Sequence, residues 1–424
     1  MKIAAAPLDF GFDDGEAAAD LEVILYGHPD VPRRAGIGSR IPDIIRRRKW
    51  RPTYRAWDFL SIALAVEAVD VSVARGGSTD GWTRQLDLTI SVIDPDFWTT
   101  QASSINKILR FLTTDIWNVS FQPGGLKPPP PAKVTYPQED SVSLLSGGLD
   151  SLVGGIDLTK SGRKPLFVSQ VSNGDKDKQT YFAKMLGGAH FQLNHVADSP
   201  EGSERSQRAR SIVFFAYGVL AATSFLNYAK GTTIPLYVCE NGLISINPSL
   251  TPMRLGSLST RTTHPVYLSG IQEVLQNAGI DVTISNPYQF LTKGEMLKNC
   301  TDQSMLLKLA SQSTSCGRFA RNGFKHCGRC VPCIIRRASF HAWGQNDLTI
   351  YRHKDLGKDD KNHAGFDDVR ALRMAGEIAA SKQYDGWVGA SLASSLLGDP
   401  APYKATVSRG LLEVKSFLVA SGVK

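Results

Sequence analysis

Six consecutive residues, Ser146-Gly147-Gly148-Leu149-Asp150-Ser151, combine the types that hold a phosphate. The two glycines permit a tight backbone turn, and the flanking serines supply hydroxyl donors. Upstream, residues 141–145 read as a buried strand, and downstream Leu149, Leu152, Val153 and Ile156 fall at helical spacing. A helix that starts on a glycine-rich turn offers backbone N–H groups and the positive end of its dipole to an anion. Asp150 would cap that helix or face a magnesium ion that offsets phosphate charge. The stretch is therefore read as a nucleotide-binding loop. It is not the G-x-x-x-x-G-K-[ST] type, which relies on a lysine.

A second chemistry lies in the cysteines. Four of the six, Cys316, Cys327, Cys330 and Cys333, fall in C-x10-C-x2-C-x2-C order. Closely spaced thiolates supply several metal ligands from one loop, and Gly328 lets the backbone fold around the ion. Zinc in such a closed four-sulfur site has no open coordination position, so its role would be structural. Iron–sulfur ligation is the competing reading. His326 is read as a bystander beside a full ligand set, and Cys239 and Cys300 as ordinary buried thiols.

These residues need a scaffold, and the chain supplies the pattern of one. Residues 165–171, 191–196 and 232–239 are strand-like and alternate with helix-like segments at 181–186 and 212–228. That alternation signals a parallel sheet covered by helices, with ligands at the carboxyl ends of its strands. Before it, Pro123 to Pro131 contains four consecutive prolines and reads as an extended linker. Residues 1–122 are expected to form an α+β module, with a strand at 86–92 and a helix announced by Asp58. The expected division is 1–122, a linker at 123–137, a nucleotide-binding domain at 138–344, and a mostly helical region at 345–424.

Several polar clusters are placed to meet a ligand. Arg208 and Arg210 precede a long apolar helix, where positive charge is unfavourable unless an anion is held there. They are candidates to clamp phosphate or a substrate carboxylate. Glu240 and Asn241 follow a strand and are candidates to read the donor edge of a purine-like base. Arg261 lies in the polar run 259–265, a candidate phosphate or substrate contact, whereas His264 is read as structural. Thr292 with Glu295 forms a capping box. The basic run at 46–51 contains Trp50, which could stack on a base, but the run is read as a solvated helix flank.

The six-residue loop resembles that of the PP-loop ATP pyrophosphatases. With the Glu-Asn-Gly turn, the Leu-Thr-Lys-Gly-Glu helix start and Cys-Gly-x-Cys-x-x-Cys followed by Ile334, Ile335, Arg336 and Arg337, the chain is similar to the QueC branch of that family. The resemblance covers roughly residues 141–340. The additional segments at both ends look like those of the longer QueC-like proteins of bacterial antiphage systems, particularly the QatC type of the Qat system.

The resemblance implies a Rossmann-like core of the adenine nucleotide alpha hydrolase type and an ATP-dependent carbon–nitrogen ligase. Its expected substrate is a 7-carboxy-7-deazaguanine-like carboxylate, captured by ammonia or by an amine of a partner protein. It implies ATP and Mg²⁺ on Ser146 to Ser151, with Asp150 and Ser151 as catalytic residues, and Zn²⁺ on the four cysteines. A tRNA-modifying enzyme and a non-catalytic nucleotide-binding scaffold are the alternatives. The formal charge of +8 suits anionic ligands and leaves nucleic acid possible but not indicated. No apolar stretch reaches membrane-spanning length and Met1-Lys2-Ile3 opens no signal core, so the cytoplasm is the expected compartment.

Overall fold

Apolar residues recur at strand or helix spacing along most of the chain, and they wind it into two parallel sheets that share a core. The computed structural model describes residues 1–12, 19–29, 31, 34–171, 174–200, 202–250, 261–356 and 367–423. In chain order the first 122 residues contribute β1 (Lys2–Pro7), β2 (Leu21–Gly27), β3 (Arg34–Gly38), α1 (Ile41–Arg48), α2 (Tyr54–Ser72), β4 (Gln85–Ser91), α3 (Pro95–Thr113) and β5 (Ile116–Gln122). These strands line up as β5-β4-β1-β2-β3, all parallel.

The expected α+β module is therefore an α/β one. Its parallel strands are joined in part by the crossovers β3–α1–α2–β4 and β4–α3–β5, as parallel pairing requires. Asp58 does not announce a helix. The start of α2 is capped by Thr53, which accepts from the Ala56 N–H at 3.3 Å, and Asp58 is buried within the helix, accepting from Trp98 Nε1 at 3.0 Å.

Residues 123–140 contain no helix or strand, as four prolines require, yet they pack rather than hang free. The Gly125 N–H donates to the Val92 carbonyl at 3.1 Å, and a Cβ on Gly125 would lie 2.4 Å from the Val92 backbone. The chain then enters β6 (Ser141–Leu144), α4 (Leu149–Lys160), β7 (Pro165–Gln170), α5 (Lys176–Met185), β8 (Ala189–Leu193), β9 (Ala197–Asp198), α6 (Arg210–Ala222), α7 (Leu226–Ala229), β10 (Ile234–Tyr237), α8 (Gly242–Ile246), α9 (Pro265–Asn277) and β11 (Val282–Ser285). The second sheet runs β11-β10-β6-β7-β8, every pair parallel. Its first strand lies in the middle and the later strands are laid down on either side, so β6 and β10 flank the point where strand order reverses.

The two sheets are tied together. The short β9 leaves the second sheet and pairs antiparallel with β3 of the first. Helices α2 and α6 pack face to face, and the Asp70 carboxylate of α2 accepts the backbone N–H groups of Arg208 and Ala209 at the start of α6. One apolar core runs from Trp57 and Ile90 through Leu144 to Phe191, Phe215 and Leu236. Burying such a continuous surface is the main stabilising term of both layers.

The remaining elements are α10 (Lys293–Asn299), α11 (Gln303–Leu309), α12 (Val331–Trp343), α13 (Asp367–Ala379), α14 (Tyr384–Leu392) and α15 (Ala401–Ala420). Residues 345–350 are not helical, in contrast to the expectation for 345–424; the helices expected there occupy 367–420. They share a core with α8 and α12 around Leu243, Ile334, Leu372 and Leu411. Among the described residues no helix is long and apolar enough to cross a membrane.

Candidate active site and metal centre

The loop after β6 has the shape its glycines permit. Gly147 sits at φ 88°, a left-handed conformation that side chains rarely adopt, and Gly148 is the N-cap of α4 without a side chain of its own. The Ser146 hydroxyl accepts from the Gly148 N–H at 3.2 Å and lies 3.0 Å from the Ser151 hydroxyl. The first turn of α4 thus faces a cleft of about 270 Å³ at the carboxyl end of the sheet. Ser146, Gly148, Leu149, Asp150 and Ser151 form one side of it; Cys239 and Glu240, just past β10, and Lys293 of α10 form another.

Asp150 is the hub of that cleft. It is not the helix cap, because Gly148 holds that position. Its Oδ2 accepts the Asn241 backbone N–H at 3.1 Å and the Asn241 side-chain amide at 2.7 Å, and its Oδ1 accepts from the buried Lys293 ammonium. Burial raises the Asp150 carboxyl, but the Lys293 charge and hydrogen bonds from Glu240, Lys293 and Asn241 outweigh it and hold the group below the usual carboxylate range. Glu240 moves the opposite way. Burial and the neighbouring Asp150 charge push it well above the ordinary glutamate value, which favours its protonated form. Two adjacent carboxyls driven apart in this way form an acid–base pair of unequal members.

Lys293 was not singled out from the sequence, because the capping box around it already accounts for the local pattern. That box is present: Thr292 accepts from the Glu295 N–H at 3.0 Å and Glu295 accepts from the Thr292 N–H at 2.8 Å. Glu413 of α15 reinforces it by accepting from the Thr292 hydroxyl and from the Gly294 N–H at 3.3 Å. The cap fixes the first residue of α10, and that residue is the lysine.

The other candidates divide. Glu240 lines the cleft, whereas Asn241 is fully buried beneath it as the N-cap of α8, accepting from the Ile244 N–H at 3.1 Å. Arg208 turns toward the first sheet, donating to the Thr113 carbonyl at 3.1 Å and the Thr114 hydroxyl at 2.8 Å and stacking over Trp82. Arg210 donates to the Val171 carbonyl at 3.2 Å, beside the carboxyl end of β7. Arg261 donates to the Phe111 carbonyl at 3.2 Å and lies over the Phe111 ring. None of these three arginines lines the cleft. Ser259 and Thr260, in the same polar run as Arg261, lie outside the described residues. His264 caps α9, as a structural histidine would. Trp50 is buried against Phe191 with ring centroids 4.5 Å apart, which removes it as a stacking platform.

The four cysteine sulfurs lie within 4.8 Å of one another, with Cys327–Cys333 and Cys316–Cys330 each at 3.9 Å. A tetrahedral ion about 2.3 Å from each sulfur sets them roughly 3.8 Å apart, so the donor set fits a single metal ion. A four-iron cluster would spread its thiolates over separate irons and hold them farther apart. Backbone N–H groups of Arg329 and Cys330 point at Cys327 Sγ from 3.4 and 3.2 Å, the arrangement that stabilises thiolates. Gly328 makes the turn at φ 84°, and a Cβ there would lie 2.3 Å from the His353 carbonyl. His326 accepts from the Ser315 N–H at 3.1 Å and supports the loop from outside the ligand set. Cys239 and Cys300 are buried thiols held well above their usual range by desolvation.

The metal centre and the cleft share a wall. Thr314, Ser315, Cys316 and Gly317 line the cleft, and the Thr314 N–H donates to the Gly147 carbonyl at 2.9 Å. Lys178 of α5 donates to the Thr314 hydroxyl at 2.7 Å and completes the contact. This wall was not legible as part of the site, since it is brought to the loop only by the chain returning through α10 and α11.

The chain is similar in part to known proteins. Residues 262–344 match the family model for queuosine biosynthesis protein QueC, a span that takes in Lys293 and all four cysteines but stops short of the loop. A 7-cyano-7-deazaguanine synthase of Agrobacterium fabrum is 27% identical over 243 residues, 51% of this chain and 93% of that protein. The synthase of Rhizobium rhizogenes is 29% identical over 96 residues, covering 22% of this chain and 38% of the relative. That of Brucella canis is 26% identical over 189 residues, 42% and 70% of the two chains. With its QueC family domain, the chain is thus QueC-like over about half its length, a distant relative of the 7-cyano-7-deazaguanine synthases.

Proposed function

We propose that this protein is an ATP-dependent carbon–nitrogen ligase that adenylates a 7-carboxy-7-deazaguanine-type carboxylate. The observation that carries the reading is one cleft holding both an anion-binding helix start and the Asp150–Lys293–Glu240 cluster. A carboxylate is a poor electrophile. Attack of its oxygen on the α-phosphorus of ATP releases pyrophosphate and leaves an acyl adenylate, whose carbonyl a nitrogen nucleophile then captures as AMP departs. Loop N–H groups of α4 and the Ser146 and Ser151 hydroxyls would hold phosphate oxygens, and Lys293 would meet the charge that develops there. Mg²⁺, when bound with ATP, supplies further charge neutralisation. Glu240 would face the substrate from the cleft wall, and Asp150 fixes Lys293 and Asn241 around it.

In this reading residues 138–344 carry the chemistry and the four cysteines hold Zn²⁺ as a structural ion that shapes the cleft wall. Residues 1–122 and 345–424 are additions, and they favour a role in a cytoplasmic antiphage system of the QatC type, where the acceptor is ammonia or an amine of a partner protein. Incubation of the full chain with ATP, Mg²⁺, 7-carboxy-7-deazaguanine and ammonium as the nitrogen nucleophile should yield AMP and pyrophosphate in equal amounts only when the deazaguanine carboxylate is present. Asp150→Asn, which leaves Lys293 without its carboxylate, should lower that rate by about a hundredfold or more, as loss of a principal electrostatic contact does. ADP and phosphate as products, or an undiminished variant, would refute the assignment.

A further inference from the structure

Leu348 and Ile350 are the most exposed large apolar side chains among the described residues, at 76% and 71%. Their partners in sequence behave in the opposite way, since Thr349 and Tyr351 are buried at 8% each. Alternation of this kind is the mark of an extended strand with one face inward. The inward face is well held: Thr349 accepts from both Arg336 Nε at 3.2 Å and Nη2 at 2.9 Å, and the Tyr351 hydroxyl donates to Asp347 at 2.5 Å. Tyr351 also packs against the cysteine cluster. The backbone belongs to neither sheet; among the described residues it pairs through one parallel bridge, Tyr351 with His326, while the Leu348 N–H donates to the Ser311 hydroxyl at 3.2 Å and the Thr349 N–H to Asp347 Oδ1 at 3.0 Å.

The segment borders a groove of about 530 Å³, whose floor includes Phe340 and Phe417. Its charged rim is mostly basic. Arg337, which also donates to the Gly328 and Lys354 carbonyls at 3.3 and 2.7 Å, and Lys354 line it, and Arg352 reaches from the strand to the Asn322 side chain at 3.3 Å, next in sequence to Arg321. Among the described residues Asp347 and Asp355 are acidic groups nearby; the first is engaged by Tyr351, and the second lies near Arg337.

We infer that residues 346–351 are a docking strand for an extended acidic segment of a partner protein, which lies along the strand with apolar side chains on Leu348 and Ile350 and carboxylates on the basic rim. Residues 346–350 pair with no neighbouring strand among the described residues, so the carbonyl groups there offer main-chain acceptors, the exposed i, i+2 pair offers side-chain contact, and the rim selects sign. The cysteine cluster would then serve a second purpose, holding Tyr351 and hence the strand in place. This inference stands independently of the adenylation reading.

The test uses the full-length protein with its metal bound and a short fluorescein-labelled peptide that alternates glutamate with valine and isoleucine, beside the same peptide with lysine for glutamate. The acidic peptide should bind saturably and at least about tenfold more tightly than the lysine form, and added salt should weaken it. Leu348→Glu with Ile350→Glu should abolish binding, and Lys354→Glu alone should weaken it several-fold, with metal content and melting temperature unchanged in both. Absence of saturable binding, equal affinity for the two peptides, or binding indifferent to the double variant would overturn the inference. So would a wild-type dimer that the double variant converts to monomer, because a second copy would then be the occupant.

Discussion

Asp150 and Glu240 sit side by side and are driven in opposite directions, which gives this cleft its particular chemistry. The sign of each pH effect follows. Asp150 is depressed on folding, so its contribution to stability is present above the ordinary aspartate value of about 3.9 and is lost as pH falls below it. Glu240 is raised, so its contribution is complete below the ordinary glutamate value of about 4.3 and is lost as pH rises through the higher folded value. Glu240→Gln keeps an uncharged side chain of the same shape and should therefore flatten the loss of melting temperature on the alkaline side. A thermal melt series across pH checks this, and an unchanged slope would show that Glu240 is ionised in the folded protein. At this scale the sequence was informative where the pattern was local. The loop serines and glycines announce themselves in six residues, and the cysteines in eighteen. Lys293 did not, since its link to Asp150 spans the whole nucleotide-binding region and its own neighbourhood reads as a helix cap. Arg208 misled for the related reason that a basic residue before a helix can meet an internal acceptor as readily as a ligand.

Among the elements, the decisive ones are those whose ends are fixed by partners distant in sequence. Helix α4 starts on glycines, α10 starts on a capping box buttressed by Glu413, and α12 starts at Cys330, so three helix starts converge around the cleft and the metal centre. The capping box was readable from residues three apart; the buttress from α15 was not. Cys330 is both a metal ligand candidate and the N-cap of α12, and its loss should affect both. Cys330→Ser is expected to drop bound zinc from about one ion per chain to a small fraction of that, measured by elemental analysis, and to lower the melting temperature. Zinc retained at full occupancy by the variant, or iron with visible absorbance in the wild type, would contradict the single-ion assignment.

Over the whole molecule, the first sheet is a buttress for the second rather than a detached addition. Asp70 and Asp115 are fully buried among Arg75 and Arg84, and Asp70 also accepts the two backbone N–H groups that open α6. Removing one charge from such a buried network leaves its partners unpaired, so Asp70→Asn should cost about 3–5 kcal/mol of stability by urea denaturation; a loss below about 1 kcal/mol would show that the network does not couple the two layers. The proline run was legible as an interruption of regular structure, but the tie across it was not, because β9 is two residues long and Asp70 lies in an apolar helix that reads as core. The parallel direction of the first sheet was hidden for a similar reason, since strand alternation is the same in either direction. The central claim concerns what this assembled cleft does to a carboxylate, and one isotope experiment addresses it directly. With ATP, Mg²⁺, ammonium and a deazaguanine substrate carrying ¹⁸O in its carboxylate, capture of the acyl adenylate by ammonia should leave one labelled oxygen in the AMP released. Unlabelled AMP formed at the same rate would show that water, not the substrate carboxylate, attacks the α-phosphorus, and would contradict the account.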